Sequence, residues 1–228
     1  MGVIIENREL VALAFAHTIL LFLISGVLSM ILGTFLAAMR VGPIKVLSVS
    51  TAIFVSLVRN TPLLIIFMFF RIGAPKIGLN FTFVEIVWGD IRMTNFFTAA
   101  VVSLTLYTST FVCEAIRSGV NAVPLGQAEA ARAIGLPFTG VMSQVVLPQA
   151  FRASVPPLAS VQIAMLKNTT IAGAFGVTEA FARMRSFTND HASERVAIFL
   201  VFALIFVLLV EIVSFAANRL ERRWSAAR

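Results

Sequence analysis

The chain has 228 residues, 59% of them hydrophobic and 13% charged, and a mean hydropathy of +0.94. That balance excludes an ordinary soluble domain, which cannot hide several uncharged stretches of membrane-crossing length. The formal charge of +7 does not point to nucleic acid, because the bases stand at the ends of apolar runs, where lipid headgroups meet them.

Met1 to Glu9 is short and polar, without the basic start and brief apolar region of a signal peptide. Leu10 to Met39 is then uncharged for thirty residues. As a helix it is about 45 Å long against a hydrocarbon core of roughly 30 Å, so it is expected to tilt or to begin at the interface. Within it His17, Thr18 and Ser25 read as local back-bonding or helix–helix contacts rather than ligands. Gly42-Pro43, between Arg40 and Lys45, ends this first span.

Val46 to Phe70 forms a second span, divided by Arg59 into uncharged pieces of thirteen and eleven residues that are too short separately. Pro62 is expected to kink it and to free a carbonyl one turn earlier, near Val58. Arg59 has two readings: an anchor for a neighbouring carboxylate, or a residue of a transport path together with Thr61 and Pro62. Arg71 to Arg92, with Gly73, Pro75, Gly78, Glu85, Gly89 and Asp90, reads as an extramembrane loop carrying a short interfacial helix around Phe81 to Trp88. Met93 to Cys113 supplies a third span of twenty-one uncharged residues. Glu114 and Arg117 close it at a spacing that pairs them on one helix face.

Glu114 to Ala150 is the polar interruption of the chain. Pro124 suits the first turn of a helix, which can run through Gln127, Glu129 and Arg132 to Ile134. Gly135 is the expected left-handed stop, and Pro137 prevents continuation. Ala128, Ala131 and Gly135 fall at spacings of three and four, giving a nearly bare face that is expected to receive another surface. Beyond it, Pro156-Pro157 opens a fourth apolar run to about Val177. Lys167-Asn168-Thr169-Thr170 lies near the middle of that run, and Gly173 and Gly176 can loosen the same helix. An ammonium at membrane depth is costly, so Lys167 is expected to face protein or water. Either the cluster lines the path, or Lys167 anchors Glu114 or Glu211. Val196 to Asn218 makes a fifth span, followed by the basic tail Arg219, Arg222, Arg223 and Arg228.

Single Cys113 gives no intrachain disulfide, and His17 and His191 have no metal-ligand spacing. The chain contains no G-x-x-x-x-G-K-[ST], H-E-x-x-H or G-x-S-x-G stretch, so neither a nucleotide-phosphate loop nor a common hydrolase signature is present.

Six elements in order carry a resemblance. They are Arg59-Asn60-Thr61-Pro62-Leu63, Glu114-Ala115-Ile116-Arg117, Gly126-Gln127, Glu129-Ala130-Ala131 with Gly135, Leu147-Pro148-Gln149-Ala150 and Lys167-Asn168-Thr169-Thr170. Together they resemble permease subunits of ABC importers, in the branch that takes up polar amino acids. Asn60 departs from that branch, which has Gly there. The resemblance implies an all-α integral membrane fold of type I, with five transmembrane helices and a cytoplasmic two-helix coupling loop, about residues 117–150, between helices 3 and 4. It implies one domain over residues 1–228. Gln127, Ala128, Glu129, Ala130, Ala131, Arg132 and Gly135 are then expected to meet the ATPase. Lys167, Asn168, Thr169, Thr170, Arg59, Thr61 and Pro62 are expected on the substrate path.

The implied partners are two ATP-binding cassette subunits, a second permease chain (a paralogue, or a second copy) and an extracytoplasmic amino-acid-binding protein. ATP and Mg belong to the ATPase, leaving this chain with no cofactor and no enzymatic activity of its own. Tyr107 to Phe111 and Lys167 to Ala172 look most like glutamate-uptake permeases, with glutamine, arginine and histidine next. Five spans with a cytoplasmic tail place the N-terminus outside a bacterial cell membrane, and bases then number nine inside and seven outside. A different class of protein, a self-contained channel or proton-coupled carrier, would place carboxylates or histidines along an intramembrane relay.

Overall fold

Uncharged runs without breakers become long helices, and the breakers mark where they end. The computed structural model describes residues 2–81, 86–88 and 91–225. A short helix α1 (Gly2–Glu6) leads into α2 (Arg8–Val41), which stops where Gly42 turns extended before Pro43. Helix α3 (Lys45–Asn60) meets α4 (Leu63–Met68) at Thr61-Pro62. A π-helical turn, Phe69–Gly73, continues α4 into α5 (Ala74–Lys76). Strands β1 (Ile86–Trp88) and β2 (Ile91–Met93) form a small antiparallel ribbon with Ile86 opposite Met93. Next come α6 (Asn95–Asn121), α7 (Leu125–Ala133) and α8 (Phe138–Gly140). A second π-helical segment, Val141–Val146, runs into α9 (Leu147–Asn168), which ends in a 3₁₀ segment, Thr169–Phe175. The chain finishes with α10 (Ala180–Asp190), a 3₁₀ turn (Ala192–Glu194) and α11 (Arg195–Ser225).

The described helices contain three spans by length and apolarity, Arg8–Val41, Asn95–Asn121 and Ala192–Arg222, and a fourth if the α3–α5 unit counts as one. Five were expected, and two of them take a different form. Pro62 does more than kink its segment: residues 45–60 and 63–76 lie 98° apart. Proline has no N–H to continue the ladder, so Thr61 caps α3 instead, donating its N–H to the Val58 carbonyl at 3.2 Å and its hydroxyl to Leu57 at 2.8 Å. The carbonyl near Val58 is therefore reused rather than left free. The fourth helix does not open at Pro156-Pro157. It begins at Leu147, with Pro148 in its first turn and both later prolines inside it. Arg152, Gln162 and Lys167 make it less apolar than the other spans.

The interfacial helix expected around Phe81 to Trp88 is also corrected. Phe81 is not helical and Ile86–Trp88 is a strand, while residues 82–85 lie outside the described ones. β-Branched Ile86 and Val87 with Trp88 favour an extended ribbon.

Helices α2, α6 and α9 form the centre, with α2 against α6 and α6 against α9. Small residues allow the contact. A Cβ on Gly33 would lie 2.5 Å from the Val112 Cβ and 2.7 Å from the Ser109 carbonyl, so α2 and α6 touch almost backbone to side chain there. Leu21, Phe67, Phe97, Leu104 and Ala172 fill the core beside this crossing. Val11, Phe15, Phe187, Ile198 and Phe202 bind α10 and α11 to α2.

Several buried hydroxyls satisfy themselves locally, which matters where no water is available. Thr18 donates to Ala14, Ser29 to Gly26 and Ser103 to Ala99, all through backbone carbonyls. His17 Nδ1 bonds the Leu13 carbonyl at 2.9 Å, and Thr18 Oγ1 also accepts from the Ala180 N–H at 3.1 Å. The local reading of His17 and Thr18 holds, whereas Ser25 Oγ is buried without a hydrogen bond among the described residues.

Candidate functional site

Three places carry chemistry: the α7 loop, a charge cluster near the end of α6, and the end of α9. Helix α7 starts from extended Pro124 and ends at Ala133. Its stop is a left-handed cap at Gly135, with φ +89°. Gly135 N–H donates to Arg132 at 2.9 Å and Leu136 N–H to Ala131 at 3.1 Å, the paired closure that satisfies the last carbonyls of a helix. Leu136 then packs with Ala131, Val141 and Val146.

That packing corrects which face is presented. Ala131 is 5% exposed and Ala128 is half-buried, both turned onto their own chain. The Ala128 and Ala131 part of the bare face expected to receive a partner is thus occupied by the Val141–Val146 segment, while Gly135 stays open. Outward stand Gln127, Glu129, Ala130, Arg132 and Gly135, flanked by Leu125 at 80% and Ile134 at 81% exposure. Gln149 donates its amide to the Gln127 side chain and so ties α7 to the foot of α9. Among the described residues, nothing beyond its two chain neighbours stands within 4 Å of where a Gly135 Cβ would lie, so its glycine is explained there by conformation.

Two turns before the end of α6, Glu114 gathers three guanidiniums. Arg117 meets it at 2.8 Å, Arg40 of α2 at 3.4 Å and Arg59 of α3 at 3.8 Å. Arg59 also lies over the Phe111 ring at 5.1 Å. The expected pairing of Glu114 with Arg117 is present, and the anchoring reading of Arg59 is the one the structure supports. In the sequence Arg40 reads only as a charge at the end of a span. Its long reach from the last turn of α2 across to α6 is a tertiary fact with no signal in local sequence.

Lys167 ends differently. Glu114 is committed to arginines, and among the described residues Lys167 makes no ion pair. Its side chain is exposed and lines a hollow of about 470 Å³ with Thr170, Phe206, Val207, Val210 and Glu211. The polar run does not act as a unit: Thr169 is fully buried and donates to Leu166 at 2.7 Å, Asn168 is half-buried, and Thr170 donates to the Lys167 carbonyl at 2.8 Å. The α-helix tightens to 3₁₀ at this point and terminates at Gly176, with φ +93°. The structure therefore separates the expected path residues. Arg59, beside Thr61 and Pro62, serves the Glu114 cluster, while Lys167 and Thr170 face α11. Between the two groups, α4 packs on the 3₁₀ segment, with Phe67 stacked on Phe175 at 5.4 Å.

Glu179 is fully buried, which its place between the fourth and fifth apolar runs does not announce. It caps α10, accepting from Phe181 and Ala182 N–H groups at 2.8 Å each. It lies in the link outside the candidate spans, and burial pushes its carboxyl up to about 7 against the opposing pull of those amides.

Residues 29–226 match the family described as binding-protein-dependent transport system inner membrane component. The chain is 45% identical over 197 residues to the glutamate transport system permease protein GluC of Corynebacterium efficiens, covering 86% of each. It is 40% identical to GluC of Corynebacterium glutamicum, covering 92% of each chain. It is 32% identical to the probable glutamine ABC transporter permease protein GlnM of Bacillus subtilis, covering 98% of this chain and 97% of that one. Among solved structures, an amino acid ABC transporter crystallised with histidines superposes with a TM-score of 0.83 at 25% identity, over 96% of both chains. The helical layout is that of type I ABC permeases, and the match spans nearly the whole sequence. The chain belongs to the binding-protein-dependent transport system inner membrane components, the multi-pass permease subunits of ABC transporters, whose ATPase is a separate subunit.

Proposed function

We propose that this permease passes an acidic amino acid, glutamate, into a bacterial cell, driven by ATP hydrolysis on partner subunits. The observation that carries the reading is Lys167: an exposed cation within an apolar run, making no ion pair among the described residues and lining an open hollow. Such a residue is costly in lipid and is retained where it meets water or a solute. A carboxylate is the group it favours, and glutamate is the solute that the two Corynebacterium permeases are named for.

The rest of the assembly follows from the family. Residues 1–228 act as one transmembrane domain with five crossings, α9 being the fifth despite its polar residues. The N-terminus lies outside and the arginine-rich tail inside. The outward side of α7, with Leu125, Gln127, Glu129, Arg132 and Ile134, docks on an ATP-binding cassette subunit. A second permease chain completes the pathway, and an extracytoplasmic binding protein delivers the solute. ATP and Mg stay with the ATPase.

The test is ATP hydrolysis by the reconstituted complex, stimulated by its binding protein with glutamate, glutamine, arginine or histidine. Glutamate is expected to stimulate most. Lys167→Met keeps the apolar stem and removes the charge. It is expected to assemble and keep basal hydrolysis while losing roughly tenfold or more in glutamate uptake, the scale of one charged hydrogen bond. Poor assembly of this variant with every solute, or transport by the chain without any ATPase, would overturn the proposal.

A further inference from the structure

The hollow that holds Lys167 has a second charged wall. Glu211 stands on α11 after the uncharged stretch Val196 to Val210, and the next charge, Arg219, comes eight residues later. At about 1.5 Å per residue it lies some 24 Å into the helix from Arg195 and about 12 Å before Arg219, well inside an apolar span. Its side chain is exposed, lines the same hollow, and makes no ion pair among the described residues. An ammonium and a carboxylate on one exposed face of a membrane protein do not suit a lipid surface. Two such groups facing one space without closing on each other leave room between them for something of complementary charge.

The walls have the pattern of an amino acid's own functional groups. Lys167 offers a cation to an α-carboxylate, and Glu211 offers an anion to an α-ammonium. Thr170 already donates its hydroxyl hydrogen to the Lys167 carbonyl at 2.8 Å, so the oxygen that remains free can only accept, as an ammonium requires. Phe206, Val207 and Val210 supply an apolar side against which a methylene stem can lie. We infer that Lys167, Thr170 and Glu211 form a zwitterion site, in which Glu211 selects for the α-amino group of the transported solute. The inference rests on the placement of Lys167 in the path given above and adds a requirement that placement does not contain.

The test is equilibrium binding of labelled L-glutamate, and of L-glutamine as a second zwitterion, to the purified permease–ATPase complex without binding protein. Glutarate, which lacks the amine, and 4-aminobutyrate, which lacks the α-carboxylate, serve as competitors. The wild-type complex is expected to bind both competitors at least about tenfold more weakly than L-glutamate, because each leaves one charged group unpaired. Glu211→Gln is expected to weaken L-glutamate about tenfold to hundredfold and to leave glutarate unchanged, whereas Lys167→Met should weaken L-glutamate and leave 4-aminobutyrate unchanged.

Wild-type affinity in Glu211→Gln alongside a loss in Lys167→Met would overturn the zwitterion site and leave the path intact. Wild-type affinity in both variants, or no saturable binding to the wild-type complex, would overturn both. Equal weakening of every ligand, with a complex that falls apart on size-exclusion chromatography, would make the two residues a structural pair and overturn the inference.

Discussion

Gly135 carries the cap of α7 through its conformation alone. At φ +89° with nothing within 4 Å of a built Cβ, a substitution meets no clash inside the chain, only the backbone penalty of a left-handed L residue. Gly135→Val adds β-branching to that penalty and is expected to loosen the end of α7 by about 1–2 kcal/mol. The complex should insert and assemble less firmly with its ATPase, and binding-protein-stimulated hydrolysis should fall. Gly135→Asn, whose side chain tolerates this region, should retain more activity. Unchanged stimulation in Gly135→Val would remove α7 from the coupling surface. Glu114 shows the opposite dependence, because its role is defined by three arginines from three helices rather than by its own backbone. Removing such a carboxylate leaves like charges facing one another, so the cluster is a joint of the fold.

At the scale of helices, packing is set by how closely backbones can approach. Gly33 is the point where α2 and α6 cross, and Gly119 lies so near Ser154 and the Ala150 carbonyl that α6 and α9 also have no room for a Cβ. Gly33→Val is expected to destabilise the chain by about 1–3 kcal/mol through overpacking. Gly126, in exposed α7 with nothing within 4 Å, is the matched control. Gly126→Ala should raise stability by a few tenths to about 1 kcal/mol, since alanine holds a helix better. Thermal unfolding of both variants in detergent, followed by circular dichroism, checks the pair; a Gly33→Val that melts with the wild type would refute the close crossing.

At the scale of the molecule, the chain leaves much apolar surface uncovered. On α3, Val46, Ile53 and Leu57 are exposed, and α11 shows Val196, Leu204, Val207 and Ile212. Lipid can cover such surface, but not the charged hollow between α9 and α11, which calls for protein or water. A second permease chain that encloses the hollow as a watered path meets that need, and the purified assembly is expected to contain two permease chains for two ATPase subunits. Native mass spectrometry counts them directly. One permease chain per pair of ATPases would refute this arrangement.

How much was legible in the sequence follows from which interactions are local. Apolar run length fixed α2, α6 and α11, because a helix in lipid must satisfy its backbone within one segment. Breaker chemistry placed the Gly135 stop, and the spacing of Glu114 and Arg117 gave their pairing, since three residues on a helix share a face. Order of motifs marked the transporter family.

Tertiary structure decided what depends on direction. A proline announces an interruption but not its angle, so the 98° turn after α3 had to be seen. Ala128 and Ala131 formed a small face legible as a surface for close packing, but only the fold shows that the chain's own Val141–Val146 segment fills it. Arg59 and Lys167 looked alike as cations in apolar runs. The first finds Glu114 on another helix and the second finds no ion pair among the described residues, because partner choice is fixed by where distant segments come to lie.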